Sequence, residues 1–262
     1  MPAATVNGQR LEYTDNGKDA PVLVFSHGLL MDGEMFEPQV RHFGDRFRCV
    51  TWDQRGHGRT GRAEHAFTYW DSAEDLCALC RHLGIARATF VGMSQGGFLQ
   101  LRLALRHPEI VDALIFIDSQ AGPEDPTLVP QYEAMIETVL KDGYSDVILE
   151  MTYAAVIGPD FPGKQHWLEK WRSRDPRDVV EPFKTLVRRE DLHSQLREIT
   201  AHALVVHGSA DAAIPVELGE RLCRELPGCD RFELIEGGGH ASNLTHPAAV
   251  NAAMEAFLQR QS

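Results

Sequence analysis

Short, mostly apolar runs alternate along this chain with segments long enough for helices of about three turns, and that alternation constrains the fold more than any other feature. The runs are 22–25, 47–52, 88–91 and 113–117, with two more at 203–206 and 232–235. They read as continuous rather than alternating, which is the pattern of strands covered on both faces. Between them, residues 34–43, 71–83, 95–106, 216–226 and 247–259 carry apolar side chains at three- and four-residue spacing. Pro215 suits a first helical turn. The spacing predicts an α/β fold with a mostly parallel central sheet flanked by helices. Ahead of it, residues 5–6 and 9–13 flank Asn7-Gly8, a tight hairpin turn.

Residues 120–198 break the rhythm. They open with Pro123, Pro126 and Pro130 and show no strand–helix alternation. The stretch is too long for a simple loop. It predicts an inserted helical cap, leaving 1–119 and 199–262 as the core.

At 262 residues the chain buries enough surface to need neither disulfide nor metal for stability. Its formal charge of −12 and lack of a dense Lys/Arg run argue against nucleic acid as a partner. No apolar stretch approaches the length of a membrane span. The first residues have neither the basic nor the apolar region of a secretory signal. The five cysteines, Cys49, Cys77, Cys80, Cys223 and Cys229, are odd in number and irregularly spaced. They are read as free thiols in a reducing cytoplasm. Cys77 and Cys80 have CxxC spacing but sit in a helical pattern, as two small apolar residues, and no second pair has zinc-ligand spacing. There is no P-loop, dinucleotide fingerprint or HExxH, so no cofactor and no metal are expected. Homo-oligomerisation is left open.

The segment that carries chemistry is ATFVGMSQGGFLQLRLAL, in which a predicted strand runs through Gly92-Met93-Ser94-Gln95-Gly96 straight into a predicted helix. A G-x-S-x-G sequence in that setting puts the serine on a strained turn. Its hydroxyl is held at the end of the sheet over a helix N-terminus, and the flanking glycines avoid collision with neighbouring backbone. Ser94 is therefore the candidate nucleophile.

With this motif the chain resembles the α/β-hydrolase superfamily over essentially its whole length, and most closely its cofactor-free bacterial serine esterase, perhydrolase and lactonase branch. The resemblance implies a base near the C-terminus, after the last strand. His240, in Glu236-Gly237-Gly238-Gly239-His240, has that place, while His246 is read as structural or surface. It implies an acid after the penultimate strand. Asp211, in Gly208-Ser209-Ala210-Asp211 ahead of Ile214-Pro215, fits, with Asp118 at the end of 113–117 as the rival. The order Ser94, Asp211, His240 is the one expected of this fold. The oxyanion hole is assigned to the backbone N–H groups of Gln95 and Leu29, with Leu30 as the alternative to Leu29. His27, in Ser26-His27-Gly28, resembles the structural histidine of that loop. Asp53 and Arg55, in Asp53-Gln54-Arg55-Gly56-His57-Gly58, resemble a backbone-organising turn rather than an acid and an anion clamp.

The reaction so implied is acyl transfer to water through an acyl-enzyme, with a small-molecule ester or lactone as partner. Leu30, Met135 and Trp167 are candidate pocket walls. A 3-oxoadipate enol-lactonase is a second reading. It is supported by length and by RCVTWDQRGHG, and opposed by His27-Gly28 where such relatives usually carry Asn-Ser. It would need cap arginines for a dicarboxylate, and Arg172, Arg174 and Arg177 are read instead as a solvated basic helix face. Carbon–carbon bond hydrolases of aromatic catabolism usually have a longer Gly-rich oxyanion loop than this one. A non-catalytic ligand-binding receptor on the same fold is a reading of a different class, opposed by the intact Ser94, Asp211 and His240.

Overall fold

Every apolar run expected to form a strand joins one eight-stranded sheet in the computed structural model, which describes residues 2–63, 65–158 and 161–260. Residues 1, 64, 159, 160, 261 and 262, which belong to the expected core and cap spans, lie outside the described residues. Strands β1 (Ala3–Val6) and β2 (Gln9–Asp15) form the expected antiparallel hairpin. Asn7 and Gly8 turn it in the left-handed region, with φ of 48° and 72°. Then follow β3 (Val22–Ser26), α1 (Glu37–Phe43), β4 (Arg48–Trp52), α2 (Tyr69–His82), β5 (Ala88–Met93), α3 (Gln95–Arg106) and β6 (Val111–Ile117). Four helices come next: α4 (Val129–Asp142), α5 (Asp146–Val156), α6 (Lys164–Arg172) and α7 (Val180–Val187). The chain closes with β7 (His202–Gly208), α8 (Val216–Glu225), β8 (Cys229–Ile235), α9 (Ser242–Thr245) and α10 (Pro247–Leu258).

The strand order is β1-β2-β4-β3-β5-β6-β7-β8, and every pair from β4 to β8 is parallel. The two central strands β5 and β6 account for the continuous apolar runs. Phe90, Val91, Leu114, Ile115 and Phe116 have no exposed surface, because helices cover both faces. Parallel strands all end on the same side of the sheet, so the loops after β3, β5, β6, β7 and β8 gather there.

Two expectations are corrected. The 232–235 run is not a doubly covered strand. β8 is the edge of the sheet, with Leu234 45% exposed. Phe-Glu-Leu-Ile is too short a run to separate an edge strand from a central one. The cysteines are also not all free. Cys223 near the end of α8 and Cys229 at the start of β8 form a disulfide, because the helix-to-strand turn brings their Cα atoms to 5.3 Å. Cys49, Cys77 and Cys80 are free and buried.

Residues 129–187 contribute no strand among the described residues. Their helices pack on loops at the strand C-termini. Trp171 Nε1 donates to the Leu30 carbonyl at 2.9 Å, Lys170 Nζ to Asp32 Oδ1 at 2.8 Å, and Thr185 Oγ1 to the Phe67 carbonyl at 2.8 Å. Among the described residues no helix is long and apolar enough to cross a membrane.

Candidate active site

Ser94 links the last residue of β5 to the first residue of α3 with φ 51° and ψ −115°. A non-glycine residue held there costs on the order of 1–3 kcal/mol, which the flanking strand and helix must impose. The turn is fastened on both sides. Ser94 N–H donates to the Ile117 carbonyl at 2.9 Å, and the Ser94 carbonyl accepts from Gly97 N–H and Ser119 Oγ, both at 2.8 Å. A Cβ on Gly92 would lie 2.4 Å from the carbonyl carbon of Gly96, and one on Gly96 would lie 2.0 Å from the Ser26 carbonyl oxygen. Close backbone approach therefore demands both glycines.

The hydroxyl so presented meets the imidazole. His240 Nε2 is 3.0 Å from Ser94 Oγ, and His240 Nδ1 is 2.9 Å from Asp211 Oδ2. In the tautomer these partners favour, Nδ1–H donates to Asp211 and Nε2 accepts from the serine. Ser94 and His240 are each 6% exposed, and the Asp211 side chain is fully buried. Asp211 Oδ1 accepts from Ala213 N–H at 2.8 Å and Ile214 N–H at 2.9 Å. Burial pushes this carboxyl up. The charge of His240 and the donors around Asp211 outweigh burial and hold it well below the usual carboxylate range.

The rival acid occupies a different position. Asp118, fully buried and left-handed with φ 50°, accepts from Gly208 N–H at 2.7 Å and Ser242 N–H at 2.8 Å. It thus joins the backbones of the Asp211 and His240 loops. Burial, and then the nearby Asp211 charge, push its carboxyl up to about 6.

Gln95 opens α3, so its N–H is one of the unpaired donors at a helix N-terminus. Its side chain is anchored by Tyr69 OH at 3.3 Å and by His57 Nε2 at 3.4 Å. Leu29 lies in a turn closed by Met31 N–H on the Gly28 carbonyl at 3.2 Å, which Leu30 completes with φ 63°. His27 has no free nitrogen. Nδ1 bonds the Gly28 carbonyl at 2.8 Å and Nε2 accepts from Gln54 N–H at 2.9 Å. Asp53 accepts from Gly33 and Arg59 N–H, each at 2.9 Å, and Arg55 pairs with Asp75 at 2.8 Å. His246 bonds its neighbour Thr245 at 3.0 Å.

Sequence reasoning missed His57 and Tyr69, which buttress Gln95, and His207, whose Nε2 lies 3.2 Å from Asp211 Oδ2. Nothing in local pattern marks a strand histidine as a neighbour of a loop aspartate four residues on. Asp118, His207 and Asp211 bring potential metal-ligand atoms within 4.8 Å of one another. Every carboxylate oxygen there already accepts from an N–H group, so both carboxylates are satisfied as they stand.

The candidate pocket residues are divided. Leu30 and Trp167 are buried and Met135 is half-buried. None of them lines the cleft of about 780 Å³ whose wall holds Asp32, Glu34, Asp53, Arg59, Lys170 and Arg174. The solvated basic face is corrected at Arg174. Its side chain is only 10% exposed, pairs with Asp32 at 3.3 Å and leaves Nη1 without a partner among the described residues. Arg172 pairs with Asp146, and Arg177 with Asp175.

A family model described as the alpha/beta hydrolase fold matches residues 21–247. RutD of Caulobacter vibrioides, a protein named for carbamate hydrolysis, is 27% identical over 99% of this chain and 98% of its own length. The 3-oxoadipate enol-lactonase 2 of Acinetobacter baylyi is also 27% identical, over 98% of this chain and 96% of its own. Among solved structures, a thermophilic esterase from Thermogutta terrifontis superposes with a TM-score of 0.89 at 26% identity, covering 99% of this chain and 98% of the esterase.

Proposed function

The chain belongs to the α/β-hydrolase family, and on that premise we propose that it is a serine hydrolase cleaving small to medium apolar carboxylic esters or lactones. The observation that carries this reading is the continuous chain from Ser94 Oγ to His240 at 3.0 Å and on to Asp211 at 2.9 Å. Ser94 attacks the acyl carbon while His240 Nε2 takes its proton. Asp211 holds the Nδ1–H tautomer and stabilises the imidazolium. The N–H groups of Leu29 and Gln95 receive the oxyanion, and the fastening of the Gln95 side chain supports that role. The protonated His240 then gives its proton to the leaving oxygen. Water, activated by the same imidazole, releases the acyl group from Ser94. No cofactor enters this scheme.

Residues 120–198 serve in this reading as a cap over the site. The bond from Trp171 to the Leu30 carbonyl supports it, because it ties α6 to the oxyanion loop. Leu30, Met135 and Trp167 shape the acyl side, and the cap excludes water from the oxyanion. Esters, lactones and carbamates, the substrate types in the names of the relatives, all present an acyl carbon to such a serine.

The test is Ser94→Ala on p-nitrophenyl acetate, followed by an ester, lactone and carbamate panel scored by kcat/KM on the parent protein. Turnover should fall on the order of 10⁴-fold or more, since members of a triad act as a unit. Near-normal turnover by the folded variant would overturn the reading.

A further inference from the structure

Asp211 has more donors than a catalytic triad requires, and the extra one is a side chain. His207 lies near the end of β7, four residues before Asp211, has no exposed surface, and holds Nε2 3.2 Å from Asp211 Oδ2. That is the oxygen to which His240 donates from 2.9 Å. The same Nε2 lies 3.0 Å from the Ile214 carbonyl. A carbonyl and a carboxylate both accept, so Nε2 carries a proton; it donates to the Ile214 carbonyl, and the same N–H lies beside Asp211 Oδ2. Nδ1 has no hydrogen-bond partner among the described residues. It is packed against α8, where a Cβ on Gly219 would lie 2.3 Å from it. The ring is therefore held by packing on one edge and by Asp211 and Ile214 on the other.

We propose that His207 is a positioning residue for the triad: it supplies a second imidazole N–H to the Asp211 oxygen that orients His240, and so limits how strongly that oxygen stabilises the His240 imidazolium. The proposal rests on the serine-hydrolase reading above. The physical reason is competition. An oxygen already holding one N–H donor has less negative potential to offer a second. The titratable groups facing Asp211 are His240, His207 and Asp118, and all three belong to this buried cluster. Burial works against charge on His207, but its bond to Asp211 and the charges of Asp118 and Asp211 raise it above its ordinary value. It therefore carries positive character over more of the acid range, which reinforces the competition.

The experiment compares His207→Leu, which removes the donor, with His207→Gln, whose amide nitrogen reaches about as far as Nε2. The readouts are the pH profile of kcat/KM for p-nitrophenyl acetate and the thermal midpoint. In His207→Leu the acid limb should move to higher pH by about 0.5 unit or more, because the imidazolium gains a better partner. The plateau kcat should fall roughly three- to tenfold as Asp211 loses a fixing contact. His207→Gln should restore both toward the parent. If His207→Leu does not fold, His207→Asn, whose amide falls a bond short of Asp211, takes its place. A lowered thermal midpoint with an unmoved acid limb would reduce His207 to packing and overturn the proposal. So would an acid limb displaced as far in His207→Gln as in His207→Leu. A Ser94→Ala protein that keeps its turnover would overturn the triad reading itself, a result distinguishable from either.

Discussion

The loops after β6 and β7 each carry a buried aspartate, on adjacent parallel strands, within one cluster. Asp211 accepts from two backbone N–H groups and the His240 imidazole, and the His207 Nε2 lies 3.2 Å from its Oδ2. Among the described residues Asp118 accepts from two backbone N–H groups only. Burial raises both carboxyls. The imidazoles outweigh it at Asp211, whereas the Asp211 charge adds to it at Asp118. The residue type and the burial are therefore shared, and the side-chain donors decide which carboxylate can orient a base. In this reading Asp211 works on His240, while Asp118 works on the two loops that carry Asp211 and His240.

The largest expected effect tests that division. Asp211→Asn should cut kcat on the order of 10⁴-fold, because the amide favours the wrong tautomer of His240. If Asp118→Asn shows that loss and Asp211→Asn does not, the acid lies after β6 and the assignment is reversed. A smaller effect is expected at Asp118 itself. Its Asn variant keeps one acceptor and turns an N–H donor toward the other backbone N–H. Steady-state kinetics at pH 8 should show a loss of roughly tenfold or less, the size of one charged hydrogen bond worth about 1.5 kcal/mol.

The smallest effect concerns stability and sharpens the contrast in ionisation. The folded chain holds the Asp118 proton up to about pH 6, against 3.8 ordinarily. Between those values the native state binds more protons at this group than the unfolded chain does. Its contribution to stability therefore grows as pH falls through 6, and it levels off near 4. Asp211 has the opposite sign. Its contribution is present above the ordinary carboxylate range and is lost as pH falls through its lower native value. Urea unfolding of the parent and of Asp118→Asn at pH 7 and pH 5 separates the two. The parent should gain about 1 kcal/mol relative to the variant at pH 5. A difference independent of pH would mean that Asp118 is ionised in both states.

Much of the core is legible in the sequence, for a local reason. The runs at 88–91 and 113–117 lie inside β5 and β6, and the helical spacing at 95–106 coincides with α3. A strand buried on both faces has no polar residue to spare, and an amphipathic helix repeats its own period. The elbow at Ser94 is legible because Gly92 and Gly96 answer a local steric demand. At the other end of the sheet this logic fails. The apolar content of 232–235 resembles that of a central strand, and only strand order makes β8 an edge. The Cys223–Cys229 disulfide is invisible to cysteine counting, because spacing alone does not say which side chains a turn brings together.

What the sequence determined by itself was the period and the turn: the alternation that demands a parallel sheet, and the glycine-flanked serine between a strand and a helix. Tertiary structure alone decided the environment of each titratable group. His207 and Asp211 are four residues apart, and Asp118 and Ser242 are separated by 124 positions, yet all meet in one buried cluster. Burial and donor count set whether a carboxylate stays charged, and both depend on neighbours brought together by strand order rather than by position along the chain.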